Sequence, residues 1–383
     1  MPVNKCRVCG GRFFSEPLLH FDNMPKAAQL LPDKATLEKD NGVAIDVCQC
    51  AGCGLVQLSN DPVHYYKDVI RAAAFSKEMG EFRTAQFAEF IGNYSLRHKK
   101  VIEVGCGRGE YLSLLARHEV NASGVEHLNE SVNACRMEGL NVSEGFIGQT
   151  DYRLKDAPYN AFMMLNFLEH IPEPNAILSG IHGNLKDNAV GLVEVPNFDM
   201  IIRENLFSEF IPDHLLYFTK NTLRSTLNMN GFEVVEFKEV WHDYIISAIV
   251  RKMGKLDLSS FHENRKKLEI EINEFISRFK PGKVAIWGAG HQSFAVISMT
   301  GIAGKIKYVV DSATFKQGKY TPSTHIPIFA PETLNSEPVD AVIVMAAAYS
   351  DEVATIIRNK YGKNIAVSIL RENYLEPVKE YKG

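Results

Sequence analysis

From about residue 75 to 252, short apolar and β-branched runs alternate with stretches of helical spacing, as expected of a sheet with helices packed on its faces. Val101–Val104 reads as a buried strand, and Gly105, Gly107 and Gly109 follow it at every second position. Tyr111, Leu112, Leu114 and Leu115 then carry helical spacing through Glu110–His118. The pattern predicts further strands at Asn121–Glu126 and Ala161–Leu165, a strand ending at Glu194-Val-Pro196, and a helix around Thr222–Met229. Residues 256–280 are charged and helical and end at Pro281-Gly282. A second βα series starts with Val284-Ala-Ile-Trp-Gly288, continues through a helix bearing Phe294, Val296 and Ile297, and reaches a strand end at Asp311. Residues 1–62 differ from the rest: they show little periodicity and hold five of the seven cysteines.

The expected organisation is therefore an α/β chain in four parts: a metal-binding module at 1–62, a first α/β domain at 63–255, a helical linker at 256–280 and a second α/β domain at 281–383. A length of 383 residues agrees with two or three domains. A net charge of −4 gives no basic footprint for nucleic acid or an anionic membrane. No apolar run reaches the length of a membrane span, and the N-terminus shows no signal-peptide core, so a cytoplasmic setting with reduced thiols is expected.

In that setting the cysteines read as metal ligands. Cys6-Arg-Val-Cys9-Gly10 and Cys50-Ala-Gly-Cys53-Gly54 are two C-x-x-C-G knuckles, and four thiolates from two such turns form a closed tetrahedral site suited to structural zinc. A closed site leaves no position for a reacting water, so the metal is assigned to folding. Cys48, just outside the second knuckle, reads as a packed thiol or an alternative ligand.

A strand, a bare turn and a helix start together make a binding site for a nucleotide-like ligand at the carboxyl edge of a parallel sheet. Glu126 closes the next strand, where a carboxylate accepts hydrogen bonds from both ribose hydroxyls. These two elements alone also fit a dinucleotide dehydrogenase. With Asn166-Phe-Leu-Glu-His170-Ile-Pro172 after the strand at 161–165, the set resembles a class I S-adenosylmethionine methyltransferase. That resemblance implies a donor site built from Glu103, Gly105, Cys106, Gly107, Gly109, Tyr111, Glu126, His127 and Asn166, with Phe146 and Ile147 flanking the adenine.

Further phrases extend the likeness: Phe21-Asp-Asn-Met-Pro25, Gly54-Leu-Val-Gln-Leu58, Trp287-Gly-Ala-Gly290, Tyr308-Val-Val-Asp311, Lys316-Gln-Gly318 and His325-Ile-Pro-Ile328. Taken in order, they resemble the three-domain sugar C-methyltransferases, in which a zinc module precedes a Rossmann-like methyltransferase domain and a Rossmann-like α/β domain follows it. The resemblance implies S-adenosylmethionine and structural Zn2+ as cofactors. It implies a nucleotide-linked keto-deoxysugar as acceptor, with no nucleic acid or membrane partner, and leaves the oligomeric state open. Read from residues alone, the Gly288–Gly290 turn serves a nucleotide or merely stabilises the fold, since Ser293 stands where a third glycine would be.

C-methylation beside a ketone needs a base for the α-proton and a group to stabilise the enolate oxygen. His214, in Ile211-Pro-Asp213-His-Leu-Leu-Tyr217, is the candidate base, with His170 from the neighbouring strand end and Asn166 in support. Asp213 would orient His214 or cap a turn. The family's usual Tyr-x-Glu-His reads Ile211-Pro-Asp213-His214 here, and its hydroxyl-rich segment reads Arg71-Ala-Ala-Ala-Phe-Ser76-Lys-Glu-Met79, leaving Tyr65 and Tyr66 as replacements. These departures keep O- or N-methylation of a sugar or another small acceptor open. A non-catalytic zinc scaffold is the reading of a different class. His118 and His182 need no function, and a surface context accounts for His127 as well as the donor site does.

Overall fold

The computed structural model describes residues 3–29, 31–67, 76–149 and 151–378. The chain forms two compact units, Met1–Gly254 and Lys255–Gly383.

The first unit opens with strands β1 (Leu19–Met24), β2 (Val43–Gln49) and β3 (Val56–Leu58), which pair antiparallel. Helix α1 (Lys77–Asn93) follows, its first turn capped by Ser76, whose hydroxyl accepts from Met79 N–H at 3.1 Å. Then come β4 (Lys100–Val104), α2 (Glu110–Leu115), β5 (Asn121–Glu126), α3 (Asn129–Met137), β6 (Val142–Glu144), β7 (Tyr159–Leu165), α4 (Pro174–Gly183) and β8 (Leu185–Pro196). After helix α5 (Phe198–Arg203) the two-residue strand β9 (Leu216–Tyr217) leaves the main sheet and pairs with β3. Helix α6 (Lys220–Met229) and the hairpin β10 (Phe232–Val240) and β11 (Ile245–Lys252) complete the unit.

The seven-stranded sheet runs β10-β11-β8-β7-β4-β5-β6, with β11 antiparallel to its neighbours. Alternation along the strands sorts side chains to two cores. Ile102, Val104, Phe162 and Met164 face α4 and α6, whereas Val101, Met163 and Leu165 face α1, α2 and α3. Both faces are therefore closed, and the carboxyl edge of β4, β5, β7 and β8 is where functional groups collect.

The second unit is a six-stranded sheet of order β14-β13-β12-β15-β16-β17, comprising β12 (Val284–Trp287), β13 (Val309–Val310), β14 (Ile328–Phe329), β15 (Ala341–Val344), β16 (Ala366–Leu370) and β17 (Leu375–Pro377). All pairs are parallel except that with β17. The segment expected to be a linker belongs to this unit. Helix α7 (Ser259–Ser277) buries Leu268, Ile272, Phe275 and Ile276, which pack with Val284, Ile286 and Ile343. Its charges occupy the outer face, and the buried stripe makes it a layer of the core.

Candidate active site

The glycine turn after β4 takes left-handed backbone, with φ of 71°, 56° and 89° at Gly105, Gly107 and Gly109. A Cβ on Gly109 would sit 2.5 Å from Leu140 Cδ1 and 3.0 Å from Cys135 Sγ, so both conformation and space demand glycine. Glu126 is 2% exposed at the end of β5. Its Oε2 accepts from Gly107 N–H at 3.0 Å and its Oε1 from Leu128 N–H at 2.9 Å. These two amides fix the orientation of the carboxylate at the strand end. Glu126, His127, Phe146 and Ile147 line one cleft with Gly105, Phe167 and Lys67. The His127 and Phe146 rings meet edge to face at 6.2 Å, and the Lys67 ammonium lies 5.2 Å from the Phe146 ring centre.

Three other expected donor-site side chains, those of Cys106, Glu103 and Tyr111, are packed among neighbouring residues. The Cys106 thiol is fully buried against Gly124 and hydrogen-bonds with Cys135, so it packs the core. Glu103 is buried within β4, on the face turned toward α1 and α2. Tyr111 packs beneath the Arg83 guanidinium, 4.9 Å from its ring centre. Asn166 holds a left-handed φ of 50° at the β7 edge and donates its backbone N–H to Glu194 O at 2.9 Å.

Arg83 and Glu194 form an ion pair at 2.5 Å with side chains 1% and 0% exposed, and Gln86 Nε2 donates to the other Glu194 oxygen at 2.5 Å. The sequence reading did not find this group. Its only signal is a charged residue at a strand end predicted to be buried.

The acceptor-side residues converge on the loop before β9. His170 Nδ1 donates to the Asp213 backbone carbonyl at 2.7 Å, and the His170 and His214 rings meet edge to face at 4.8 Å. Burial, with His170 beside it, holds the His214 imidazole down to about 3, and burial also lowers His170. Both rings are therefore neutral near pH 7, as a proton acceptor must be.

Asp213 does not orient His214. Its Oδ2 accepts from Ala28 N–H at 2.9 Å and its Oδ1 from the Tyr65 hydroxyl at 2.6 Å, which itself accepts from Gln29 N–H at 3.2 Å. The carboxylate turns that way because the buried Tyr65 phenol needs an acceptor there, and the Ala28 amide adds a second donor. Tyr65 is thereby committed to the loop's scaffold, and burial plus the Asp213 bond push its hydroxyl up to about 12. Tyr66 stacks edge to face on Phe146 at 6.2 Å. Of the altered segment, residues 71–75 lie outside the described residues.

Cys6, Cys9, Cys50 and Cys53 bring their sulfurs within 4.8 Å of one another, with Cys6–Cys53 at 3.6 Å and Cys9–Cys50 at 3.4 Å. Backbone N–H groups of Val8, Gly11, Gly52 and Cys53 point at these sulfurs, the arrangement that favours thiolates. Cys48 lies on β2, outside this cluster. The cluster is tied to the histidine loop: Gln57 Nε2 donates to Cys6 Sγ at 3.2 Å, and the Gln57 backbone pairs with Leu216 on β9.

In the second unit Gly288 has φ 122°, and a Cβ there would meet the Met345 carbonyl oxygen at 2.3 Å. Asp311 accepts from Ala289 N–H at 2.7 Å, Ala313 N–H at 2.8 Å and Lys316 Nζ at 2.9 Å, so this turn is satisfied by its own neighbours.

The sheet order and the Gly105–Glu126 site define a class I S-adenosylmethionine-dependent methyltransferase. Residues 77–237 match the methyltransferase domain family, and residues 252–367 match the C-methyltransferase C-terminal domain family. The two matches follow one another along the chain, the methyltransferase domain first and the C-methyltransferase C-terminal domain after it. The C-methyltransferase NovU of Streptomyces niveus is 23% identical over 92% of this chain and 91% of that protein. A ubiquinone biosynthesis O-methyltransferase of Xylella fastidiosa (strain M23) is 33% identical over 24% of this chain and 39% of that protein. A solved S-adenosylmethionine-dependent methyltransferase from Clostridium acetobutylicum ATCC 824 covers 50% of this chain and 97% of its own, at 14% identity and a TM-score of 0.39. No helix among the described residues is long and apolar enough to cross a membrane.

Proposed function

We propose that the enzyme methylates carbon beside the keto group of a nucleotide-linked sugar. Bound S-adenosylmethionine supplies an electrophilic methyl group on a sulfonium. Glu126 holds the donor's ribose, and Gly105, Gly107 and Gly109 let its methionyl part lie against the backbone. His214 would take the α-proton of the acceptor and leave an enolate carbon as nucleophile; the donor would give up its methyl to that carbon and depart as S-adenosylhomocysteine. The observation that carries this reading is the half-buried, neutral His170–His214 pair beside the β7 edge, in a chain that resembles a C-methyltransferase over nearly its whole length. An O-methyltransferase needs only to deprotonate a hydroxyl, and similarity to that class covers a quarter of the chain or less in the O-methyltransferase relative above.

The four-cysteine cluster would hold one structural zinc ion. The second unit would serve the nucleotide portion of the acceptor through the Gly288–Gly290 turn, and the enzyme would work without nucleic acid or membrane. The test is a methyl-transfer assay by mass spectrometry on nucleotide-linked sugars bearing keto, hydroxyl or amino groups, run in deuterated buffer. Gain of one methyl on a keto sugar with exchange of the adjacent proton is the expected result. Gain only on hydroxyl or amino sugars would replace the enolate reading with O- or N-transfer.

A further inference from the structure

Glu169 has no role in the scheme above, and its surroundings are unusual for a carboxyl group. It sits on the short turn Leu168–His170 that follows β7 and is 1% exposed. Its Oε1 lies 3.8 Å from His170 Nε2, and its Oε2, buried, has no hydrogen-bond partner among the described residues. Its backbone carbonyl accepts from Leu215 N–H at 2.8 Å, so the same peptide also anchors the residue after His214. One ligand-type atom from each of Glu169, His170 and His214 falls within 4.8 Å of the others.

The hydrogen-bond pattern assigns the protons. His170 Nδ1 faces a carbonyl oxygen and must carry hydrogen, so Nε2 of the neutral ring presents a lone pair toward Glu169. A lone pair and a carboxylate facing each other in a buried site repel unless a proton or cation lies between them. Among the described residues, the groups facing Glu169 supply no free cation. His170 and His214 are neutral, Glu194 is an anion paired with Arg83, and the Tyr244 hydroxyl donates to Glu209 at 2.5 Å.

We infer that Glu169 is a positioning residue of this site: its buried carboxylic acid, retaining its proton, faces the His170 lone pair left by the tautomer that the Asp213 carbonyl sets, and so keeps an uncompensated negative charge away from the two-histidine pair. The link to turnover rests on His214 acting as base, whereas the tautomer and proton assignments do not. Burial, and secondarily the charge of Glu194, hold the Glu169 carboxyl up at about 8. Above that pH an ionised Glu169 would face the His170 lone pair without a proton between them, and the repulsion would disturb the packing of the two rings.

The experiment is nitrogen NMR of histidine-labelled, full-length protein saturated with S-adenosylhomocysteine, from pH 6 to 10. The His170 and His214 signals among the 12 histidines are assigned with His170→Gln and His214→Gln. The expected wild-type result is a single Nδ1–H tautomer for His170 and a step near pH 8 on both rings. Glu169→Gln and Glu169→Ala should both keep the tautomer that the Asp213 carbonyl sets, and both should lose the step. In turnover, Glu169→Ala should fall at least about tenfold, and Glu169→Gln should recover most of that at pH 7 with a flattened alkaline limb. Absence of the step, or its persistence in Glu169→Gln, overturns the inference. So does a second equivalent of divalent metal per chain that Glu169→Gln removes, since a metal ion would then occupy the place given to the proton. If the wild type methylates no keto sugar, the functional reading fails while the NMR result still decides the role of Glu169.

Discussion

Removing the Tyr65 hydroxyl and the Asp213 carboxylate, singly and together, measures how firmly the segment before α1 grips the histidine loop. Asp213 is 5% exposed and Tyr65 9%, and their bond is 2.6 Å long. A hydrogen bond to a charged, buried acceptor contributes about 1.5–3 kcal/mol. Tyr65→Phe should therefore cost about 2 kcal/mol. Asp213→Ala leaves the buried Tyr65 hydroxyl without its acceptor and also removes the bond from Ala28 N–H at 2.9 Å, and should cost roughly 2–4 kcal/mol. In the double variant the shared bond is lost only once, so the two costs should fall short of additivity by about 1.5–3 kcal/mol. Urea titration reads this through Trp241 fluorescence in a Trp287→Phe background, which removes the second of the chain's 2 tryptophans and leaves the probe in the first unit. Equal m-values across the four proteins are required for the cycle to be read as stability. Additivity within about 0.5 kcal/mol would refute the bond as the link between the two segments.

Gly109→Ala should weaken S-adenosylhomocysteine binding at least about tenfold by calorimetry, because a side chain there is strained at φ 89° and strikes Leu140; unchanged affinity would remove the turn from the donor site. Chelation should release one equivalent of zinc per chain and expose the Leu58 amide, which donates to Leu215 O at 2.9 Å, to hydrogen exchange; protection that survives metal loss would separate the cluster from the loop. The pH dependence of stability follows from His214, whose folded value near 3 lies below the unfolded value of about 6.5. The unfolded chain binds that proton first, so the stability is present above about 6.5 and is lost as pH falls toward 3. His214→Gln should flatten this acid limb in urea midpoints taken from pH 7 to 4, and an unaltered slope would show that the ring is not buried neutral.

What could be read along the chain depended on how locally each feature is encoded. The Val101–Val104 strand, the glycine turn and Glu126 lie in one short βαβ stretch, where strand period and turn chemistry act over a few residues. The two knuckles are equally local, each set by a C-x-x-C-G phrase. The partners of Asp213, Ala28 and Tyr65, are 185 and 148 residues distant, and nothing within the loop reports them. The Arg83–Glu194 pair spans 111 residues and is hidden for the same reason. Helix α7 is a different case. Leu268, Ile272, Phe275 and Ile276 carry a buried helical stripe in the sequence itself, but the charges between them led to its reading as a solvated linker.

The main-chain pairing explains why a four-cysteine cluster and a histidine loop belong to one unit. Strand β9 is only two residues long, too short to hold its register alone. Its partner β3 is anchored by Gln57, which is fully buried, accepts from Arg7 N–H at 3.0 Å and donates to Cys6 Sγ at 3.2 Å. One residue thus bonds both to the first knuckle and, through its backbone, to Leu216. On the other side of the loop, Leu215 N–H reaches Glu169 O and His170 reaches Asp213 O. The histidine pair is held between the sheet edge at β7 and the cysteine module at β3, with no long element of its own. A loop so placed derives its geometry from contacts at both ends, and the order imposed by the cysteine cluster is transmitted to His214 through two residues of strand.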